Sequence, residues 1–273
     1  GMAKRADGAA LSPAQRVAWL RLIRSENVGP VTFRQLVNRF GLAEAALEAL
    51  PGLMQRAGTQ GRICSPSAAE DEIAATVKLG GRIVGSGEGD YPHLLHYISG
   101  APPVVTMAGG KRLDWSRTVG VVGARNASAA GQKMTRLLAG ELGAAGYTIV
   151  SGLARGIDAA AHAASLETGT VAVLAGGLDR IYPDENIPLA EKIVAEGGAV
   201  LTEMPLGWEP RARDFPRRNR LISGLSLGVV VVEAAKRSGS LITARLALEQ
   251  NRDVFAVPGS PLDPRAQGCN QLI

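Results

Sequence analysis

The chain has 273 residues, of which 46% are hydrophobic, 20% are charged and 4% are aromatic. This composition is globular, and the length accommodates one large domain together with a small one. Two cysteines and three scattered histidines exclude a disulfide framework and a cysteine-rich zinc site, and no apolar run is long enough to span a membrane. We therefore expect no metal, no cofactor and no membrane contact, and without a signal-peptide pattern the cytoplasm is the default location. The net charge of +5 suggests an anionic partner, whereas a mildly basic pI alone is more often typical of a solvated surface.

The N-terminal part of the sequence predicts a small all-helical domain. Residues 1–11 are small and polar, which is typical of a disordered tag remnant. Ser12 and Pro13 have the residue types of a helix N-cap and a first helical position, so a helix is predicted to begin here. A turn at Asn27–Thr32 leads to a second helix, and a third helix is predicted at Ala43–Leu50.

This first domain is expected to cover residues 12–78, ending in a connection and a helix at Ala68–Lys78. Its hairpin around Val28–Pro30 resembles helix–hairpin–helix or SAM-like modules. Backbone N–H groups of such a hairpin can bind phosphate, but a protein–protein or capping module uses the same pattern. The sequence leaves both roles open.

Residues 79–273 are predicted to form the second domain. Two strands, at Gly81–Gly85 and Pro103–Met107, come first and are expected to extend one edge of its sheet. Further strands are predicted near 119–123, 147–151, 170–175, 199–203, 228–233 and 253–257. Helices are predicted between them, near 127–145, 157–167, 186–196, 217–226 and 240–250. This regular alternation predicts an α/β fold with a Rossmann-like, doubly wound, mainly parallel sheet.

The segment Val119–Ser151 carries the opening strand–turn–helix–strand unit of that sheet. A glycine-rich turn at Gly123–Ser128 follows the first strand, and Asn126 or Ser128 can cap the next helix. The apolar face of that helix is predicted to consist of Met134, Leu137, Leu138 and Leu142. Arg125 lies in the turn, where a phosphate is expected at the helix N-terminus.

The loops that follow the predicted strands contain the residues of greatest chemical interest. In a doubly wound sheet, ligands bind outside the carboxyl ends of the strands, near the point where the strand order reverses. One crevice is therefore expected to gather Gly123–Ser128, Ser151–Asp158, Gly176–Pro183, Thr202–Pro205, Arg211–Arg220, Glu233–Thr243 and Val257–Gly259. Ser238 and Gly239 predict a phosphate cradle or a helix cap there, and Lys236 or Arg237 can add positive charge.

The segment Arg211–Arg220 holds five arginines and one acidic residue. Guanidinium groups suit phosphate oxygens, and Phe215 can stack on an unpaired base. Asn219 lies between two arginines near the predicted start of a helix, which also favours an anion. A solvated basic face is the alternative interpretation.

The sequence lacks the motifs that two alternative nucleotide-binding functions require. For a dinucleotide site, the third glycine of GxGxxG is missing, and the second strand ends in Ser151-Gly152 where an acidic residue is expected. A nucleoside-monophosphate hydrolase of the lysine-decarboxylase-like type relies on a Pro-Gly-Gly-x-Gly-Thr stretch. The nearest stretch here, Pro258–Pro261, differs from that pattern. A Rossmann-like regulatory module that senses a free nucleotide is a third possibility.

The polar residues near these loops do not form a catalytic set. Asp158 and Ser128 stand where helices need N-terminal caps, and His162 fits a packed helix residue better than a base. Glu203 and Glu233 end predicted buried strands, where they suit either general acids or acceptors of hydrogen bonds from loop N–H groups and arginines. Without a nucleophile–base pair at a telling spacing, we expect no enzymatic activity.

An ordered series of motifs resembles the DNA-processing protein A (DprA/Smf) family and covers about residues 80–273. The motifs are Val122–Arg125, Ser151–Asp158 with Ala161-His162, Gly177–Pro183, Glu203–Pro205, Phe215–Leu225, Glu233-Ala234, Ser238–Ala244, Pro258-Gly259 and Gly268–Ile273. Ala124 replaces the serine common in the family's Gly-Ser-Arg turn. Family members usually continue beyond the position of Ile273, often with a small winged-helix-like domain.

This resemblance implies a dimeric, non-enzymatic protein that protects incoming single-stranded DNA and helps to load the RecA recombinase in natural transformation. Arg125 is then the leading candidate for a phosphate contact. From the loops and the resemblance together, the candidate DNA-binding residues are Arg125, Ser128, Gly152, Arg155, Phe215, Arg217, Arg218, Asn219, Arg220, Lys236, Ser238 and Gly239.

Overall fold

The computed structural model describes residues 10–273, so most of the predicted tag remnant lies outside the described residues. The described chain forms two compact units. The first comprises the described residues up to Tyr91 together with Ser99–Thr106. The second comprises Pro92–Ile98 and Met107–Ile273.

The first unit is mainly helical, with α1 (Pro13–Arg24), α2 (Pro30–Phe40), α3 (Ala43–Arg56) and α4 (Pro66–Lys78). Helix α1 begins as predicted, because the Ser12 hydroxyl accepts the Gln15 N–H and the Gln15 side chain accepts the Ser12 N–H. Leu22, Phe33 and Leu47 are buried in a core shared by the first three helices. Burial of these apolar faces supplies most of the stability of such short helices.

Helix α3 is longer than predicted, since it continues through Pro51 to Arg56 instead of ending at Leu50. Proline removes one helical hydrogen bond and usually ends a helix. Here Leu53 and Met54 pack against the helical core, and their burial offsets that loss. Helix α4 begins at Pro66, before the predicted Ala68, because Ser65 caps it by accepting the Ala68 N–H.

The second unit carries a parallel sheet flanked by helices. The strands of the protein are β1 (Gly81–Gly85), β2 (Val104–Gly109), β3 (Thr118–Gly123), β4 (Thr148–Ser151), β5 (Thr170–Val173), β6 (Ala199–Thr202), β7 (Gly228–Val232) and β8 (Asp253–Ala256). The remaining helices are α5 (Ala129–Ala144), α6 (Ile157–Ala164), α7 (Ile187–Ala195), α8 (Asp214–Gly224), α9 (Gly239–Glu249) and α10 (Gln267–Leu272).

In this unit, β6, β5, β4, β3, β7 and β8 are neighbours in that order, and all five pairings are parallel. Strand β2, whose second half belongs to the unit, lies next to β6, and β1 lies beside β2 in the first unit. The predicted Rossmann-like, doubly wound, mainly parallel sheet is confirmed. The strand order reverses at β3, because β4 to β6 lie on one side of it and β7 and β8 on the other. The carboxyl ends of β3 and β7 therefore mark the switch point.

Two predictions about the helices of this unit need correction. Helix α5 buries a stripe of small residues, Gly131, Thr135, Ala139 and Gly143. Of the predicted face, Leu138 and Leu142 are partly buried against the core, whereas Met134 and Leu137 are exposed. Small side chains permit close packing here: a Cβ on Gly143 would lie 2.2 Å from the Thr168 hydroxyl oxygen.

Helix α8 begins at Asp214, three residues before the predicted start at 217. The Asp214 carboxylate accepts hydrogen bonds from the Arg211 N–H and the Trp208 indole N–H, which holds the preceding loop. Asn219 consequently lies inside the helix, and the predicted anion site at a helix start beside it is absent.

Candidate functional site

A cleft of about 470 Å³ opens at the switch point, beyond the carboxyl ends of β3 and β7. The turn after β3, the start of α8 and the start of α9 form most of its wall. Most of the loops predicted to meet do so here or beside the cleft, but no residue of Thr202–Pro205 lines it. The segment Val257–Gly259 does not line it, and Gly259 instead exchanges hydrogen bonds with the Asn270 side chain.

Arg125 lies exposed at the rim of this cleft, on the turn after β3. Within residues 10–273 its guanidinium pairs with no carboxylate, and its central carbon lies 5.8 Å from the centroid of the Phe215 ring. The turn is held by two backbone bonds, from the Ala124 N–H to Glu233 and from the Ile157 N–H to Ala124. A Cβ on Gly123 would lie 1.9 Å from the Val232 carbonyl oxygen, so only glycine fits at this point.

The N-terminus of α5, where the sequence predicted a phosphate, is occupied by the protein's own carboxylate. Glu233 accepts hydrogen bonds from the Ser128 hydroxyl and, at 3.2 Å, from the Ser128 N–H. The Ser128 hydroxyl oxygen also accepts the Gly131 N–H at 3.0 Å. A Cβ at Gly131 would lie only 1.7 Å from the Glu233 carboxylate. A carboxylate of the protein thus takes the place predicted for a phosphate, and Ser128 is the N-cap of α5.

Arg218 and Asp158 form a buried polar floor beneath the cleft. Arg218 Nη1 donates to the carbonyl oxygens of Gly152 at 2.9 Å and Val173 at 2.8 Å. Asp158 accepts the N–H groups of Gly152 and Ala154. Burial lowers the pKa of Arg218 to about 10, so the guanidinium remains charged at neutral pH, and burial raises the pKa of Asp158.

Gly152 belongs to this floor for a steric reason. A Cβ at Gly152 would approach the Arg218 guanidinium to 2.9 Å, so a side chain here would displace it. The structure thus places Arg218 and Gly152 under the cleft, where both hold the loop after β4.

A single buried acid, Glu203, engages two other arginines of the basic segment. Arg220 forms two hydrogen bonds with its carboxylate, one of them 2.7 Å long, and Arg217 Nε lies 3.3 Å from the same group. Arg217 remains half exposed, whereas Arg220 is largely covered. The interpretation of Glu203 and Glu233 as hydrogen-bond acceptors is confirmed.

The start of α9 forms the opposite wall of the cleft. Ser238 caps the helix by accepting the Ser240 N–H at 3.2 Å. The Asn219 side-chain amide donates to the Gly239 carbonyl oxygen at 3.4 Å, which links α8 to α9. A Cβ at Gly239 would meet nothing within 4 Å, so its backbone is open to an approaching group. Lys236 is exposed on the turn before the helix.

Beside the cleft, a shallow recess contains Arg155 and Tyr182, an aromatic residue that is not among the predicted DNA-binding residues. The Tyr182 ring packs edge-on against Phe215, with centroids 5.7 Å apart and an interplanar angle of 66°. Arg155 lies close to Tyr182 and bonds to the Glu185 carboxylate at 2.5 Å. An aromatic residue in a loop that follows a strand and faces a basic segment is the signal that would have identified Tyr182.

His162 is buried below the loop after β4 and has a structural role. Its Nε2 accepts the Leu153 N–H at 3.2 Å, and its Nδ1 lies 2.8 Å from the Thr170 hydroxyl. This bond holds Leu153, whose φ of 61° is unusual for a non-glycine residue. Burial lowers the pKa of His162 to about 3, so the imidazole is neutral. The interpretation as a packed helix residue is confirmed.

Over residues 10–273, no cluster of three or more histidine, cysteine and acidic side chains is arranged to hold a metal ion. In the same residues, no helix has both the length and the apolarity that a bilayer crossing needs.

The fold and the cleft together define a Rossmann-like protein with arginine and aromatic side chains gathered at its switch point. The sequence model of the DNA recombination-mediator protein A family matches residues 82–273, and that of the DprA-like N-terminal HHH domain matches residues 13–75. The chain therefore belongs to the DNA recombination-mediator protein A family, and the resemblance to the DprA/Smf proteins is confirmed.

Protein Smf of Synechocystis sp. is 39% identical over 282 residues, covering 96% of this chain and 69% of that protein. The DNA processing protein DprA of Bacillus subtilis is 48% identical over 187 residues, covering 67% of this chain and 62% of that protein. The chain thus spans about two thirds of the length of these relatives.

A solved structure of DNA processing protein A from Helicobacter pylori superposes with a TM-score of 0.64 at 28% identity, covering 70% of this chain and 86% of that one. That structure is described as giving insights into the single-stranded DNA binding mode of the H. pylori protein.

Proposed function

We propose that this protein binds single-stranded DNA in the switch-point cleft of its Rossmann-like domain, residues 79–273, and acts as a recombination mediator. In this role it protects incoming single strands in natural transformation and helps to load RecA on them. Family membership and the single-stranded DNA binding described for the H. pylori protein support the general role.

One observation carries the assignment of the site. Arg125 is exposed at the rim of the cleft, has no carboxylate partner among residues 10–273, and lies over Phe215. A cation beside an aromatic ring is the pairing that single-stranded nucleic acid needs, because phosphates take the charge and unpaired bases take the ring. Arg217, Arg218 and Arg220 are already engaged by protein oxygens.

The remaining candidates have graded roles in the proposal. Gly239 and Ser238 offer the open start of α9 to the strand, and Lys236 adds charge on the same side. Arg217, whose side chain is half exposed, adds positive charge for the strand. Arg218, Asn219, Arg220, Gly152 and Ser128 act by shaping the cleft.

The alternative function is a phosphoribohydrolase-like nucleotide enzyme that uses Glu203 or Glu233 as a general acid. Glu203 accepts a hydrogen bond from Arg220, and Glu233 accepts one from Ser128. These bonds give both carboxylates a structural role in holding α8 and the start of α5. We therefore propose that the protein has no chemistry of its own. Turnover of nucleoside monophosphates that is lost in Glu203→Gln or Glu233→Gln would refute this.

Fluorescence anisotropy with labelled oligothymidine at several salt concentrations tests the DNA site. About three or four phosphate contacts predict a slope of log affinity against log salt of about −2 to −3. Arg125→Ala is expected to weaken binding at least tenfold and to flatten the slope. Arg136→Ala, another exposed arginine, is the matched control and should bind as the wild type does. Equal affinities of Arg125→Ala and the wild type would remove the cleft as the DNA site.

The mediator role has its own assay, RecA-dependent ATP hydrolysis on single strands already coated with a single-strand-binding protein. Adding the wild-type protein is expected to shorten the lag before hydrolysis. Adding Arg125→Ala should leave the lag as long as it is without the protein. We also propose a homodimer, because two clefts on one strand raise the avidity. A monomeric mass by light scattering at the concentrations of the binding assay would contradict the dimer.

A further inference from the structure

The recess beside the cleft gathers two aromatic rings and several cationic groups. The Phe215 ring centroid lies 5.8 Å from the Arg125 guanidinium carbon, 5.5 Å from that of Arg218 and 5.7 Å from the Tyr182 ring centroid. Arg155 lines the same recess, close to the tyrosine. Tyr182 and Arg155 line this recess but not the cleft itself, so they extend its aromatic and cationic surface.

Tyr182 has an uncovered aromatic surface. Its residue is 46% exposed, and an edge-on contact with one ring leaves at least one face of the tyrosine free of that ring. Burying such a ring face under another flat aromatic group is favourable, and every nucleobase offers one.

The flanking cation is available for a phosphate. The Arg155 side chain is 51% exposed, and its partner Glu185 is 57% exposed. A pair this open to water stabilises the protein little, and salt weakens it further. An approaching phosphate can therefore replace the carboxylate, whereas it cannot easily replace the buried partners of Arg218.

We propose that Tyr182 forms a second base-stacking subsite, which receives the unpaired base next to the one on Phe215, while Arg155 holds the adjoining phosphate. This inference rests on the proposed function, since it extends the DNA path from the cleft across the ends of β4 and β5. A duplex, whose bases are already stacked, cannot use the subsite, so the pair of rings selects single strands.

The test separates stacking from charge by comparing two ligands of equal phosphate number, oligothymidine and an abasic oligomer. Tyr182→Leu keeps an apolar side chain against Phe215 but removes the aromatic face. It is expected to weaken oligothymidine binding about five- to tenfold, the lower end of the effect of one stacked base. Binding of the abasic oligomer should stay within about twofold of the wild type, and Tyr182→Phe should restore oligothymidine binding.

Arg155→Ala should weaken both ligands and flatten the salt slope by about 0.7, the value for one phosphate contact to a single strand. Wild-type affinity of Tyr182→Leu for oligothymidine, or an equal loss for both ligands, would overturn the inference. If Arg125→Ala weakens binding while Tyr182→Leu does not, only the second subsite fails. If Arg125→Ala also binds normally, the proposed function of the cleft fails with it.

Discussion

Arg218 offers the sharpest test of the difference between a residue that binds DNA and one that supports the cleft. The resemblance to DprA/Smf proteins places it in the DNA-binding set, whereas the structure buries it on two carbonyl oxygens, where it interacts electrostatically with Asp158. We expect Arg218→Met to act first on folding stability. Its neighbour Arg217, which is half exposed, provides the matched control, Arg217→Met.

The size of the effect follows from the groups that lose their partner. Removing one member of a buried charged network costs about 3–5 kcal/mol, because the remaining groups stay desolvated without compensation. Asp158 already has a raised pKa and can take up a proton when the guanidinium is gone, so we expect the lower end, about 3 kcal/mol. Arg217→Met should change the free energy of unfolding by less than about 1 kcal/mol, because Arg217 itself is half exposed and the buried Glu203 keeps its bonds to Arg220.

Urea unfolding followed by circular dichroism measures both variants, and oligothymidine anisotropy below the unfolding transition measures their binding. The double variant Asp158→Asn/Arg218→Met should recover part of the lost stability, because the uncompensated carboxyl group is then absent. The buried-floor account would be refuted by an Arg218→Met protein as stable as the wild type that nevertheless binds DNA poorly. That result would make Arg218 a direct ligand of the strand.

Two further predictions concern residues that hold the loops. Ser128→Ala should destabilise the protein by about 1 kcal/mol, because the α5 cap is lost. It should change the affinity for oligothymidine less than twofold. A tenfold loss of affinity would instead show that Ser128 contacts the DNA. The pKa of His162 falls from 6.5 in the unfolded chain to about 3 in the folded protein. Between these two pH values the unfolded chain binds a proton at His162 and the folded protein does not. The free energy of unfolding should therefore decrease as the pH falls below 6.5, by at most about 1.4 kcal/mol per unit. His162→Gln should show a shallower decrease, and identical pH slopes for the two proteins would contradict this.

Local signals in the sequence determined the order and type of most elements. Ser12 predicted the start of α1, and Ser128 was one of two cap candidates for α5, because a hydroxyl that accepts a backbone N–H acts within a few residues of itself. The structure selected Ser128 over Asn126. The alternation of strands and helices predicted the parallel sheet, and the sheet rule placed the ligand site at the carboxyl ends of its strands. The prediction ended α3 at Leu50, whereas the helix continues through Pro51, because the packing that tolerates the proline comes from other helices.

Only the tertiary structure decided which charged groups are available at the cleft. The basic segment looks uniform in sequence, yet Glu203 engages Arg217 and Arg220 from 17 residues before the latter. Glu233 reaches the start of α5 across 105 residues, and Arg218 reaches the Gly152 carbonyl across 66. Periodicity and capping patterns carry no record of such distant pairs. The free charge of Arg125 and the uncovered ring of Tyr182 are therefore properties of the folded chain, set by where the sheet brings its loop ends together.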